Sequence, residues 1–366
     1  MKRSKHKEGC VPRWVPPVIL AAFILVILSA GARRSYALAD FVNSYVATPL
    51  RVVMSAVSNY IPFSVFELIF ILAIPALICA ITVSLVRDGS LAAKIRRLIS
   101  IVGVIGILFS GYLAVMTIPY NTTPLSSRLS IDEDTDIEVD ELYSATLLVR
   151  DKINELAPTL EIADGVTVMP YTHKELSQRV CDAYQSVSAE YPFFYNFDSQ
   201  AKDIAFSGIM SDMGISGIYT YLTGEANVNT SYPDYCYVFT VAHEFAHQRG
   251  INRENEANFM AFFVLSRSGD PYLAYSAYLN LYEYLASALY SSDKQLYAEL
   301  SRELSDVARA DNKRASEITR EHRDSPLYKL MHNVNDAYLK SNGTEGVVSY
   351  GYVVRIAVGY LNSSTE

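Results

Sequence analysis

Three apolar runs lie in the first third of the chain, at Val15 to Ala32, Phe63 to Val86 and Leu98 to Ile118, with Glu67 the one charge inside them. Each is about long enough to cross the roughly 30 Å hydrocarbon core of a bilayer as a helix. The 366 residues suffice for two or three structural units, and the remainder reads as an ordinary globular chain. The fold expected is α+β, mainly α: a three-helix transmembrane anchor followed by a largely helical domain with a small β-sheet. Residues 1–14 are expected as a terminus, 15–118 as the membrane region, 119–140 as an acidic linker and 141–366 as the globular domain. Tyr36 to Ile61 is apolar but interrupted, an amphipathic stretch lying at the membrane surface or against the bundle.

Basic residues set the expected orientation. Lys2, Arg3, Lys5, Lys7 and Arg13 precede the first run, and Arg87, Lys94, Arg96 and Arg97 separate the second from the third. Both groups are expected in the cytoplasm; Arg33, Arg34 and Arg51 weigh the other way but are fewer. The third run then exits, which predicts a multi-pass plasma-membrane protein with its C-terminal domain outside. "ALAD" at 37–40 has the look of a signal-peptidase site. Arg33 and Arg34 stand between it and the apolar core, so the first run is expected to be retained. Glu67 is read as part of a capping box with Ser64 rather than as a bare charge in lipid. The lipid bilayer is thus the first expected partner. The net charge of −8 predicts no nucleic-acid partner. The four cysteines include no CxxC pair, and Cys181 and Cys236 form either one disulfide or two separate buried thiols.

In the globular part, Glu141 to Ala157 has helical spacing, and Thr172 to Glu175 reads as a capping box opening a helix to about Glu190. His173 then falls in a first turn and is structural or exposed. Ile215 to Asn229 reads as a strand and a hairpin, with Ile218, Thr220 and Leu222 alternating with Tyr219 and Tyr221. Asp270-Pro271 and Ser325-Pro326 each give a cap with proline at the first helical position. Gly346 to Leu361 suits helix or strand equally.

The chemistry concentrates in "VAHEFAHQRGINRENEANF", Val241 to Phe259. His243 and His247 stand one helical turn apart, so both rings leave one face and can reach one ion. Glu244 projects beside that ion, where it can take a proton from an activated water. Gly250 is a natural helix stop. A second helix, apolar almost all round and therefore buried, starts near Arg253 and runs through Leu265. A buried carboxylate there needs an ion or a donor. Glu254 is the expected third ligand, Asn258 the residue orienting a ligand, and Glu256, on nearly the opposite face, the reserve.

"HEFAHQRG" and "ENEANFMAFFVL" resemble the paired motifs of the gluzincins, zinc metallopeptidases in which a Glu downstream of HExxH binds the metal and an Asp or Asn four later supports it. With "GEANVN", they also resemble an uncharacterised bacterial membrane family with a few N-terminal spans and an HExxH ectodomain. The spacing departs from most gluzincins, since Glu254 follows His247 by only seven positions. A metzincin pattern fails because its third-ligand position holds Arg253. The resemblance implies a zincin-like domain, a Zn2+ cofactor and hydrolysis of a peptide or protein substrate. It further implies an edge strand for substrate at Ile218, Tyr219, Thr220, Tyr221 and Leu222, whose other reading is plain sheet packing. A downstream oxyanion helper is expected as well, with His322, Tyr350, Tyr352 and Arg355 as candidates by type. The competing class is a membrane-anchored ectodomain, zinc-stabilised or metal-free, that binds a protein or cell-envelope partner without cutting.

Overall fold

The computed structural model describes residues 11–87, 89–133 and 137–363, with backbone only at 347, 349 and 350. Cys10 and the basic residues Lys2, Arg3, Lys5 and Lys7 lie outside the described residues. The N-terminal region holds α1 (Val15–Ala32), α2 (Tyr36–Val42), α3 (Thr48–Ser58), α4 (Val65–Val86) and α5 (Leu91–Tyr112). Helices α1, α4 and α5, the last with its continuation to Asn121, are long and apolar enough to cross a membrane. Their side chains point outward, as with Phe23, Ile74 and Val102, which suits hydrocarbon as solvent. Helices α1 and α5 approach closely because α5 carries glycines there. A Cβ on Gly103 would come within 2.5 Å of the Trp14 ring, and one on Gly106 within 3.2 Å of Val18.

The ends of the spans differ from expectation for identifiable reasons. Ser64 caps α4, its Oγ accepting from the Glu67 amide at 3.0 Å, so that helix starts at Val65. Ser90 caps α5, whose first two turns carry the basic residues. Past Tyr112 the helix widens into a π turn at Leu113–Thr117, and this end of the third run is buried in protein rather than exposed. A second π turn at Asn43–Ala47 joins α2 to α3. Each widened turn leaves carbonyls without regular partners. The fully buried Arg51 on α3 meets this need after α5, donating to Val115 O at 2.6 Å, and also donates to the side-chain Oδ1 of Asn43 in the other turn at 2.6 Å. Helix α3 is two-sided. Arg51, Ser55 and Ser58 face protein, while Val46 just before it and Leu50, Val53 and Val57 form an exposed stripe.

The rest of the chain comprises α6 (Leu125–Leu129), α7 (Val139–Leu156), β1 (Ile162–Ala163), β2 (Val166–Thr167), α8 (His173–Glu190), β3 (Ala201–Asp203), α9 (Ser207–Asp212), β4 (Gly217–Thr220) and β5 (Glu225–Val228). It continues through α10 (Asp234–Gln248), α11 (Glu254–Ser266), α12 (Pro271–Ser292), α13 (Lys294–Arg302), α14 (Asp306–His322), α15 (Pro326–Ser341) and α16 (Val353–Ser363). Helices α7, α10, α11 and α12 pack around the main core. A three-stranded sheet in the order β3-β5-β4 lies beside α10, with β3 parallel and β4 antiparallel to β5.

The expected hairpin is β4–β5, but Tyr221 and Leu222 belong to its turn, not its strand. Gly224 closes the turn at φ +69 against the backbone of Met54 and Ser55. The stretch expected as a linker is in part packed, with Tyr120 and Leu125 buried. Residues 346–361 are helical, a 3-10 turn followed by α16. Cys181 and Cys236 are separate thiols. His173 does open α8, yet its ring also stacks on Tyr237 at 4.2 Å and bonds Asp203 at 2.8 Å.

The membrane region and the sheet share polar partners. Both carboxylate oxygens of Glu225, a fully buried residue on β5, accept from the first amides of α4, Val65 at 3.0 Å and Phe66 at 2.8 Å. Ser64 donates to Asn227 Oδ1 at 2.7 Å. The Glu67 side chain does not fold back on Ser64 as a capping box requires. It accepts from the amides of Ala205 at 3.1 Å and Phe206 at 2.8 Å, just before α9.

Candidate metal centre

Helix α10 ends where the sequence places a glycine. Gly250 takes φ +92, and a Cβ there would meet Arg51 Nη1 and Asn43 Oδ1 at 2.7 Å. Arg249, fully buried, fixes the turn from the other side. It packs on the Tyr184 ring at 4.4 Å and donates to Asn196 Oδ1 at 2.7 Å and Phe197 O at 2.8 Å, a cation suited to the negative end of a helix. Asn252 then donates to Val115 O at 3.2 Å and Met116 O at 2.9 Å, the carbonyls freed by the π turn after α5. The chain reverses and α11 begins at Glu254.

That reversal brings three side chains together. Glu254 Oε2 lies 3.3 Å from His243 Nε2 and 3.6 Å from His247 Nε2. The three ligand atoms all lie within 4.8 Å of one another. His247 Nδ1 is 2.8 Å from Ile251 O. A carbonyl only accepts, so Nδ1 carries a proton and Nε2 is the ring atom turned toward Glu254. Donor atoms around a tetrahedral zinc with bonds of about 2.0–2.1 Å stand roughly 3.3 Å apart. The two nitrogen-to-oxygen separations match that span, and the donor set of two imidazoles and one carboxylate is one zinc takes. Among the described residues His243 Nδ1 and Glu244 Oε2 are buried without hydrogen-bond partners, polar atoms whose cost a nearby cation offsets. The residues fit a divalent ion.

The two imidazoles and the carboxylates shift one another. Burial pushes the Glu254 carboxyl up, but the imidazoles of His247 and His243 reverse this and hold it well below the usual carboxylate range. Burial lowers His247, and Glu254 more than compensates, bringing it to about 9. Glu244 is raised, chiefly by burial, with the two imidazoles pulling the other way. Its carboxylate lies against the Tyr219 amide of β4. Gly217 is seated on it so closely that a Cβ would come within 2.5 Å of Oε1. Strand β4, an edge of the sheet, therefore runs directly past Glu244.

Glu256 is turned elsewhere. Its Oε1 accepts from Arg253 Nη1 at 2.7 Å and from the Leu125 amide at 3.0 Å, while Arg253 also donates to Tyr120 O and Thr122 O. Asn258 is buried and faces the Tyr284 hydroxyl, and no hydrogen bond joins it to His243 or His247 among the described residues. Ile251 O, which sequence reasoning did not single out, holds the His247 imidazole. Of the expected oxyanion helpers, His322 pairs with Asp212 at 2.7 Å. Tyr352 bonds Glu345 and lies under Arg355 at 4.4 Å. The side chain of Tyr350 lies outside the described residues. Tyr338 on α15, which sequence reasoning missed, is close enough for Glu254 to help burial and Tyr112 raise its phenol. No local pattern marks it.

A family model described as "Protein of unknown function (DUF3810)" matches residues 43–358, from the π turn before α3 to α16. The chain belongs to this family. The match takes in two of the three apolar helices together with His243, His247 and Glu254. No curated protein matches the chain, and no solved structure does.

Proposed function

We propose that the protein is a membrane-anchored zinc-dependent peptidase, gluzincin-like in its ligand set, acting outside the cytoplasm. The observation carrying this is the meeting of His243, His247 and Glu254 with Glu244 beside them, partly unpartnered and against an edge strand. Zinc, when bound, supplies Lewis acidity at neutral pH. Glu244 takes the proton of the attacking water and passes it to the leaving amine, a role suited to a buried carboxyl whose proton affinity is raised. Tyr219 and Gly217 offer the outer edge of β4 to an extended substrate, since alternate residues of a strand present the same edge. The excess of basic residues before α1 and between α4 and α5 supports a cytoplasmic N-terminus.

The test uses the full chain in lipid nanodiscs with a degenerate peptide library. Wild type is expected to hold one zinc and to cleave. Glu244→Gln keeps the metal and loses turnover by about 10²–10⁴-fold, and Glu254→Ala loses the metal. Equal cleavage by wild type and Glu244→Gln overturns the mechanism. A stable partner complex indifferent to chelator and to Glu244→Gln, in a protein that cleaves nothing, favours the binding-module alternative. A reporter fused after Glu366 that is active only in the cytoplasm overturns the orientation.

A further inference from the structure

The peptidase reading leaves the substrate class open, and the junction between sheet and spans bears on it. Helix α4 has 22 residues, about 33 Å at 1.5 Å per residue, which matches the hydrocarbon thickness of about 30 Å. Its first residue therefore stands at one face of the bilayer, and its first amides are bonded to Glu225 of β5. Strand β5 lies at that face, and β4 is its neighbour. The turn that ends β4 makes a second contact with the spans. The Tyr221 hydroxyl donates to Leu108 O of α5 at 2.9 Å, and its ring lies 5.9 Å from that of Tyr112, the last residue of α5. A third contact is α3, whose polar face meets the end of α10 through Gln248 Nε2 and Ser55 Oγ at 3.2 Å. Its opposite face is the exposed stripe of Leu50, Val53 and Val57. One helix thus separates the end of α10 from a surface continuous with the lipid-facing spans. Phe206 and Ile209, beside the Glu67 contact, are also exposed.

We infer that the site formed by His243, Glu244, His247 and Glu254 beside the edge of β4 is loaded from the bilayer side, and that its substrate is a polypeptide tethered in the same membrane and cut close to its anchor. This rests on the peptidase reading. The exposed apolar side chains of Leu50, Val53 and Val57 make the neighbouring surface favourable for lipid. A tethered polypeptide already has its extended segment at the level of β4.

Two measurements test this on the full chain in vesicles of phosphatidylcholine with phosphatidylglycerol. The first supplies a degenerate peptide library in two forms, dipalmitoylated at one end or free. Anchored peptides are expected to be cut in a narrow band at fixed distance from the lipid, which surface enrichment alone does not produce. The free form is expected to be cut at least about tenfold more slowly, by the effective concentration that tethering provides. Equal rates, or cuts scattered along the anchored peptide, overturn the inference and leave the peptidase reading standing. No cleavage of either form by metal-loaded protein overturns the peptidase reading, and the substrate assignment with it. The second measurement needs no activity. The chain has a single tryptophan, Trp14, so Trp14→Phe clears the background for Ile218→Trp, with Tyr221→Trp as a second probe should the first misfold. Lipids brominated near the headgroup are expected to quench either probe about twofold, as interfacial indoles are quenched, and to leave Tyr290→Trp on α12 unchanged. Probes at 218 and 221 as insensitive as that at 290 overturn the placement of the strand.

Discussion

Helices α4 and α11 are written in nearly the same alphabet. Each is apolar almost all the way round and opens with an acid in its first turn. Yet α4 buries only Ser84 along its whole length, whereas α11 buries every residue from Glu256 to Leu265. Length decides between the two. The 13 residues of α11 reach about 20 Å, too short to cross a bilayer, and the 22 of α4 suffice. Their acids share a fate in different company. Glu67 spends its charge on two backbone amides and Glu254 on two imidazoles. An all-apolar helix thus reports that water is excluded, and only its length and end partners say by what.

This contrast can be broken most severely in α11. Phe259 is fully buried, stacks with Phe263 at 5.9 Å and meets Tyr360 edge-to-face at 5.7 Å. Phe259→Ala is expected to cost about 3–5 kcal/mol, while Phe70→Ala, on the open side of α4, stays within about 0.5 kcal/mol. Denaturant unfolding in nanodiscs measures both, and equal losses would dissolve the distinction. Next comes the joint between the two regions. Glu225→Ala strips two acceptors from the start of α4, with a loss of about 2–3 kcal/mol read by the same unfolding curves. Gly250→Ala sets a Cβ against Arg51 and Asn43 at a positive φ, costing about 1–3 kcal/mol. A neutral result would mean that the turn after α10 does not touch α3.

The smallest effect lies at His173, far from both helices in sequence and half exposed. Its bond to Asp203 raises its proton affinity, with Asp234 adding a little and partial burial opposing. A raised folded value means that the pair's contribution is complete below the unfolded value of about 6.5 and is lost as pH climbs through the folded one. Being exposed, it contributes less than about 1 kcal/mol. His173→Gln is expected to flatten the stability profile in that window.

The sequence made legible whatever depends on neighbours in the chain. Spacing put His243 and His247 on one face, Gly250 marked the reversal, and Ser64, Thr172 and Asp270 were caps where expected. The choice between Glu254 and Glu256 rested on helical phase, and Arg253 explains it by occupying Glu256. What stayed hidden depends on partners far along the chain. Glu225 serves amides 160 and 159 residues away, and Arg51 serves a carbonyl 64 residues away. The alternation of Glu225, Asn227 and Asn229 announces one polar face of a strand. It carries no sign that Glu225 and Asn227 on that face meet the start of a span. Asn258, four after Glu254, is buried, and its Nδ2 has no hydrogen-bond partner among the described residues.

The bond from Glu225 into α4 bears on how this protein can be handled. Severing the chain near Pro119 to obtain a soluble fragment would take away the two amides that Glu225 accepts from and the hydroxyl that Asn227 accepts from, and would open that buried face of the sheet to water. The half that looks easiest to purify depends for its inner sheet on the half that must be kept in lipid.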